Sequence, residues 1–318
     1  MDCILSLRDQ SGGYYVNTYL TLLSLFKNAS CQVNVHIMHD ETIDHAVKPL
    51  TELAGSFAQQ IFFHKVADLD AEIVSKISKR FNIAATYRLY ALDHIEADRV
   101  VYLDSDIIVK KNLKVFEDIN LDDYFIAAVK NIGGLWKNRK KEKQNQPTID
   151  FLRLKRESYF NTGMVYLNLK NIRAAYPDGN IFVKRLKDAV LADIALPYPD
   201  QDIINSVCCS WPGKILWLDE SFNYMTYKRG RAYDTMDQLE DKIIHYALLK
   251  PWDTFFPIHL AFWEYYAASP FKDDLFKRID QALHSEKMEF MRHYADNPKN
   301  RALGAAVLKS GLRGVLFR

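Results

Sequence analysis

The chain has 318 residues, of which 48% are hydrophobic and 13% aromatic. It is therefore long enough to bury a large core, as one α/β domain or as one domain with an appendage, and the composition excludes a disordered or fibrous protein. The net charge of +2 creates no field that would attract nucleic acid. Because no nucleic-acid-binding motif occurs either, we expect no nucleic-acid partner.

Cysteine usage and the N-terminus indicate a cytoplasmic protein. The four cysteines show neither CxxC spacing nor the density of a secreted scaffold, which is typical of reduced core thiols. The first seven residues lack a basic segment, and Arg8 and Asp9 follow too early for a signal peptide. No window approaches the roughly 18 uninterrupted apolar residues of a membrane span.

The first part of the chain alternates between strand and helix patterns. Residues 3–7, 33–38 and 61–64 are predicted strands, and residues 14–27 and 43–57 are predicted helices. Such alternation implies right-handed crossovers and a mainly parallel sheet flanked by helices. The loop Ser11-Gly12-Gly13 matches neither GxGxxG nor a P-loop, so a dinucleotide or kinase-type phosphate site is not expected.

An apolar run interrupted by two carboxylates, residues 100–109, is the most informative stretch. Residues 100–103 are typical of a strand buried on both faces of a mostly parallel sheet. Asp104 and Asp106 follow it, at the sheet edge where ligands bind in open α/β folds. Two carboxylates there would repel each other and lose hydration unless a cation or several donors offset them. We therefore predict that they hold a divalent metal ion.

Two other segments carry the same Asp-x-Asp spacing. Asp68 and Asp70 precede the predicted helix 71–80, where acids are ordinary cap and first-turn residues. The segment 200–202 follows two prolines, and Asp200 is a good N-cap for the next helix. Capping explains Asp200 but does not require Gln201 and Asp202, so a functional role for this segment stays open.

Arg88 lies in a predicted helix, residues 82–95, just upstream of the acidic strand. Its side chain would either extend to water or reach a phosphate or carboxylate, and the pattern does not decide between them. After a predicted strand at residues 125–129, the basic stretch 137–146 is too polar for a core element. It is interpreted as a solvated surface loop or as a mobile loop that orders over substrate.

Two later strands end in polar residues. Residues 160–169 begin with a polar segment containing Gly163, which permits close approach of a ligand or another backbone. A predicted helix follows at residues 181–194. The predicted strand 242–246 carries His245, with Lys250 close behind. Imidazole with two carboxylates suits manganese or a similar divalent ion, and a lysine suits the phosphates that such an ion carries.

Together these pieces resemble the retaining glycosyltransferases of family 8, which include glycogenin and bacterial lipopolysaccharide galactosyl- and glucosyltransferases. The resemblance covers residues 2–271 and rests on matches in the order of that family. The matching segments are Tyr87-Arg88-Leu89, residues 101–106, Phe160-Asn161-Thr162-Gly163, residues 200–205, and His245 with Lys250-Pro251-Trp252.

The resemblance implies a GT-A fold, a Rossmann-like nucleotide-sugar-binding α/β domain at residues 1–271, followed by a helical, basic C-terminal tail at 272–318. It further implies Mn²⁺, or another divalent cation such as Mg²⁺, held by Asp104, Asp106 and His245. The acceptor would be a glycan or glycolipid, such as lipopolysaccharide or a cell-surface polysaccharide. The residues implied to bind the UDP-sugar donor are Asp9, Tyr15, Arg88, Asp104, Ser105, Asn161, Asp200 and Lys250.

The catalytic residues implied by the resemblance are Gln201, which matches the residue facing the anomeric carbon, and the neighbouring carboxylate of Asp200. One segment departs from the family. The usual spacing is His-x-x-Gly-x-x-Lys-Pro-Trp, whereas the interval from His245 to Lys250 is one residue shorter and lacks the glycine. The loop over the pyrophosphate is therefore expected to be tighter.

Other interpretations remain at this point. A phosphatase with Asp104 as nucleophile would need a different continuation from Ile107-Ile108, and a non-catalytic nucleotide-sugar or glycan-binding module would bind donor without turnover. The tail has five basic residues and no acid from Lys299 onward, interleaved with apolar residues. It is interpreted either as a peripheral contact with the inner, anionic membrane surface or as an ordinary packed or frayed tail.

Overall fold

A computed structural model describes residues 1–66, 83–131, 134–211, 213–228 and 231–289. The Asp68-Asp70 pair, the predicted helix 71–80 and the tail from Lys299 onward lie outside these residues. Among the described residues, no helix is long and apolar enough to cross a membrane. The strands are β1 Asp2–Leu7, β2 Asn34–His39, β3 Gln60–Lys65, β4 Arg99–Leu103, β5 Ile107–Val109, β6 Ile126–Lys130, β7 Phe160–Asn168, β8 Ile215–Leu218, β9 Tyr224–Met225 and β10 Ile243–His245.

The central sheet has seven strands in the order β3-β2-β1-β4-β7-β6-β8. Strand β7 runs antiparallel to its neighbours β4 and β6, and the other pairs are parallel. A smaller sheet has the order β5-β10-β9. This arrangement confirms the predicted α/β class with a mainly parallel sheet.

Helices cover both faces of the central sheet, and apolar clusters fill the space between them on each side. The helices are α1 Tyr15–Asn28, α2 Asp44–Ser56, α3 Ala84–Tyr87, α4 Ala91–His94, α5 Arg139–Leu152, α6 Leu169–Ala175, α7 Ile181–Leu191, α8 Pro199–Cys209, α9 Leu260–Ala267 and α10 Leu275–Leu283. Helices α1, α2 and α9 contribute to the first cluster, and α3, α7 and α8 to the second.

Several predictions about elements are corrected. The prediction of a loop at residues 137–146 is wrong, because most of this stretch forms the first turns of α5. The Asn138 side chain caps this helix by accepting from the Lys141 backbone N–H. The predicted helix 82–95 is divided by a 3-10 turn at Arg88–Tyr90 into α3 and α4. Asp200 is not an N-cap, because α8 begins at Pro199 and Tyr198 occupies the N-cap position.

The four cysteines are free thiols, three of them buried.

Candidate functional site

The acidic segment lies where the two sheets meet. Asp104 follows β4 of the central sheet, and Asp106 precedes β5 of the smaller sheet. The backbone N–H of Asp104 donates to the carbonyl of Gly163 (2.8 Å), and the carbonyl of Asp106 accepts from the backbone of Tyr246 (3.0 Å). Because β10 pairs with β5 and places His245 opposite Ile107, a histidine distant in sequence reaches the two acids.

A row of polar side chains on helix α1 hydrogen-bonds to this segment and to the strand that follows it. The Thr18 hydroxyl donates to Ser105 Oγ (3.0 Å), and Thr21 donates to the carbonyl of Ile107 (2.8 Å). Ser24 Oγ accepts from the backbone of Val109 (2.9 Å). Ser105 also donates to the carbonyl of Ser6 (3.3 Å), so its hydroxyl is directed into the fold.

Three side chains converge with the geometry of a metal site. His245 Nε2 lies 3.6 Å from Asp104 Oδ2 and 3.5 Å from Asp106 Oδ1, and all three potential ligand atoms lie within 4.8 Å of one another. His245 Nδ1 is 2.9 Å from the side-chain oxygen of Asn223. This contact assigns the proton to Nδ1 and leaves Nε2 as a free lone pair, the form in which histidine binds metals. The residues present therefore fit a divalent cation.

Lys250 is the second basic side chain, after His245, that lies beside Asp106. Its ammonium contacts Asp106 Oδ2 directly. Burial favours a raised pKa for Asp106, but the Lys250 ammonium, together with His245 when its imidazole is protonated, outweighs burial and lowers the pKa of Asp106 well below its usual range. Asp106 is therefore a carboxylate at neutral pH, as a metal ligand must be.

Arg88 contacts carboxylates and does not extend to water. Its guanidinium, 5% exposed, pairs with Asp104 Oδ1 and lies 3.3 Å from Asp200 Oδ2. It donates to the carbonyl of Thr162 (2.8 Å) and stacks 3.7 Å above the ring of Tyr102. Burial raises the pKa of Asp200, while Arg88 opposes this shift. The arginine thus joins the acidic segment to the start of α8.

A chain of side-chain amides joins His245 to Gln201. Asn223 donates to Asn161 Oδ1 (2.9 Å), and Asn161 donates to Gln201 Oε1 (3.0 Å). The backbone of Thr162 donates to the same Gln201 oxygen (3.2 Å). The structure therefore brings together the predicted residues Asn161, Asp200 and Gln201 with the predicted metal ligands.

Of the predicted nucleotide-contacting residues, Asp9 lies on the loop before α1 and Tyr15 is the first residue of that helix. Asp9, 2% exposed, accepts from the backbone of Gly13 (3.1 Å) and Tyr15 (2.8 Å). Burial favours a raised pKa for Asp9, but hydrogen bonds from the backbone of Tyr15 and Tyr14 and from the side chains of His45 and Ser11 lower the pKa overall. Asp9 thus shapes the loop, and Tyr15 packs edge-on against His45, 5.4 Å between ring centroids. Burial, reinforced by the charges of Asp106 and Asp104, raises the pKa of Tyr14.

Sequence reasoning missed several residues that support the site. Asn223 is 22 residues before His245, and no local pattern marks it. Tyr159 directly precedes the matched segment that begins at Phe160, but no local pattern distinguishes it from the other tyrosines. Asn205 belongs to a matched segment without an assigned role, and its amide bridges the backbone of Phe160 on both sides (3.0 Å each).

Comparisons with known proteins agree with this geometry. The family model "Glycosyl transferase family 8" matches residues 9–255. A putative glycosyltransferase of Haemophilus influenzae is 25% identical over 217 residues, covering 67% of this chain and 62% of the relative. A lipopolysaccharide 1,2-glucosyltransferase of Escherichia coli is 24% identical over 291 residues, covering 87% and 82%. The chain thus spans less than two thirds of the length of the Haemophilus influenzae relative.

Solved structures share the fold. The WbbM bifunctional glycosyltransferase, in its apo form, has a TM-score of 0.66 at 20% identity over 87% of this chain and 51% of that one. The galactosyltransferase LgtC, in complex with donor and acceptor sugar analogs, has a TM-score of 0.59 at 17% identity over 91% and 99%. Together with the family match, these similarities show that this chain belongs to glycosyltransferase family 8 and has the GT-A fold.

Proposed function

We propose that this protein is a metal-dependent retaining glycosyltransferase that moves a hexose, glucose or galactose, from a UDP-sugar to a glycan acceptor. The observation that carries the proposal is the convergence of Asp104, Asp106 and the free Nε2 of His245. The catalytic and donor-binding unit would comprise residues 1–271. A glycan such as lipopolysaccharide is the proposed acceptor class, because that is the substrate named for the E. coli relative.

Asp104, Asp106 and His245 would hold Mn²⁺ or another divalent cation such as Mg²⁺. When bound, such an ion would neutralise the negative charge that develops on the phosphate of the leaving UDP. The Lys250 ammonium, already beside Asp106, would supply a second positive charge to the pyrophosphate. Arg88, Asn161 and Asp200 would contact the donor sugar. Tyr15 would lie beside the nucleotide of the donor. Asp9 and Ser105 would contribute to the nucleotide site through the loops that they hold in place.

Retention of configuration requires either a covalent intermediate or attack from the face that UDP leaves. Gln201 Oε1 accepts two hydrogen bonds, from Asn161 and from the Thr162 backbone, which makes an already weak nucleophile weaker. Asp200 Oδ2 is engaged by Arg88 and by the Thr162 hydroxyl (3.2 Å). We therefore favour same-face attack, with Gln201 beside the developing oxocarbenium ion. Mass spectrometry of protein incubated with donor would find no glycosyl adduct on Asp200, and a trapped adduct would contradict this mechanism.

The test of the function is hydrolysis of a panel of UDP-sugars without acceptor, in the presence of manganese and of a chelator. We expect release of UDP from one hexose donor, dependent on manganese and lost in Asp106→Asn. Asp123→Asn, an exposed acid on another part of the surface, serves as the matched control and should behave as wild type. Release that persists in chelator or in Asp106→Asn would contradict the role of the metal. Binding of UDP without turnover of any donor or acceptor would favour a nucleotide-sugar-binding module.

A further inference from the structure

The amide of Gln201 has a defined orientation, and two fully buried residues lie behind it. Its Nε2 donates to the Tyr159 hydroxyl oxygen (2.8 Å), and that hydroxyl donates to Asp202 Oδ1 (2.6 Å). The other oxygen of Asp202 accepts from the backbone of Tyr198 (3.0 Å). Tyr159 and Asp202 are both 0% exposed, so water does not compete for these hydrogen bonds.

The direction of these hydrogen bonds follows from counting protons. An ionised carboxylate only accepts hydrogen bonds, so the single Tyr159 proton must point to Asp202. The lone pairs of Tyr159 are then left for the Gln201 amino group. The Gln201 carbonyl must consequently face the donors of Asn161 and Thr162. If the amide were rotated by half a turn, its amino group would face those two donors and leave them unsatisfied, which is costly in a buried site.

We propose that Asp202 and Tyr159 are positioning residues that set the amide orientation of Gln201 beside the reacting carbon. This inference rests on the proposed function, in which Gln201 faces the anomeric carbon. Neither residue touches the donor; both act through Gln201. The family motif accounts for Gln201 itself, whereas the tyrosine behind it is identified by its contacts.

Tyr159→Phe tests this inference, because it removes one hydroxyl and leaves the ring that packs against Trp136. At about pH 8, where the carboxylate form of Asp202 prevails, we expect kcat for donor turnover to fall by up to about a hundredfold, as for a small misplacement of a reacting group. The donor KM should change less than about twofold, because ground-state contacts remain. Tyr166→Phe, on the strand β7 that Tyr159 directly precedes but packed in the opposite cluster, is the matched control and should behave as wild type.

A double-mutant cycle separates positioning from general damage to the fold. In a Gln201→Ala background, Tyr159→Phe should cause no further loss of kcat, because the group through which it acts is absent. Asp202→Asn should lower kcat as Tyr159→Phe does, because a neutral amide cannot accept both hydrogen bonds. If Gln201→Ala is too slow to measure, Asp202→Asn decides.

The outcomes are distinguishable. An unchanged kcat in Tyr159→Phe or in Asp202→Asn, or an equal loss in the Gln201→Ala background, would overturn the positioning role. Absence of transfer and hydrolysis in the wild type would instead refute the proposed function, and the positioning role would be refuted with it. Circular dichroism and thermal melts of each variant establish that the compared proteins are folded.

Discussion

Gly163 lies on β7 directly against the ring of His245, and the site depends on its missing side chain. A Cβ built at this position would lie 2.1 Å from His245 Cε1 and within 2.8 Å of both ring nitrogens. The backbone there cannot retreat easily, because the Gly163 carbonyl accepts from Asp104 and its N–H donates to Asn161. Glycine is thus required here for close approach of an imidazole, and not for an unusual backbone angle.

We predict that Gly163→Ala displaces His245 and costs about 1–3 kcal/mol of unfolding free energy, the usual range for overpacking. It should also weaken binding of manganese measured by calorimetry. In a His245→Ala background the same substitution should cost at least about 1 kcal/mol less, because the clash is gone. Urea unfolding of the four proteins measures this coupling. Equal costs in both backgrounds would show that the clash is relieved elsewhere.

Asp202 makes stability depend on pH. Burial raises its pKa to about 7, although the hydrogen bonds from Tyr159 and Tyr198 act to lower it. Because the pKa of Asp202 in the folded protein lies above the value near 4 of the unfolded chain, the folded state is more stable when Asp202 is neutral than when it is ionised. The stabilisation is complete at pH values below about 4 and is lost as pH rises through about 7.

We therefore predict that wild type loses unfolding free energy relative to Asp202→Asn between about pH 5 and about pH 8. The relative loss should be at least about 1 kcal/mol, since one pKa unit corresponds to about 1.4 kcal/mol. Asparagine does not titrate, so the comparison cancels contributions from the other groups. Urea unfolding at both pH values gives the difference directly. A difference independent of pH would mean that Asp202 is ionised throughout this range.

At the scale of elements, α1 does more than cover the sheet. Its apolar residues pack into the core, and its buried hydroxyls hydrogen-bond the segment that carries the acids. Thr18, Thr21 and Ser24 recur every three residues and therefore lie on one face of the helix. This face satisfies backbone groups of β5, a strand of three residues, on the side away from β10.

We predict that Ser24→Ala destabilises the protein by about 1–3 kcal/mol, because the buried backbone N–H of Val109 loses its acceptor. Ser56→Ala is the matched control, since that hydroxyl donates to the carbonyl of Leu53 within its own helix, and it should cost much less. Urea unfolding compares the two variants. Hydrogen exchange of the Val109 amide should accelerate in Ser24→Ala alone. Equal effects of the two substitutions would refute the supporting role of α1.

How far the sequence predicts these elements depends on where their signals lie. Apolar runs with β-branched residues predicted β4 and β7 within a residue or two, because buried strands carry their signal locally. Helix α5 was missed because its first turns are almost entirely polar and its buried apolar residues come only at the end, at Ile149 and Leu152. Arg88 could not be assigned, because its partners Asp104 and Thr162 come from other elements.

At the scale of the whole molecule, the site forms where chain segments distant in sequence meet at one edge. Asp104 directly follows β4 of the central sheet, and His245 is the last residue of β10 in the smaller sheet. The segment 104–106 connects the two sheets and belongs to neither. Asn223, Asn161 and Gln201 then connect the histidine to the start of α8. Local patterns identified the ends of this network, but its connections depend on tertiary contacts that no spacing encodes.

The most direct test of a metal-dependent nucleotide-sugar site is a calorimetric titration of UDP into the wild type and into His245→Ala, first with manganese and then with excess chelator. We predict that the wild type binds UDP with manganese and at least about tenfold more weakly with chelator, an affinity change of about 1.4 kcal/mol. His245→Ala should bind weakly in both conditions. Equal affinity of the wild type for UDP in manganese and in chelator would contradict the assignment of Asp104, Asp106 and His245 as a metal site that binds the donor.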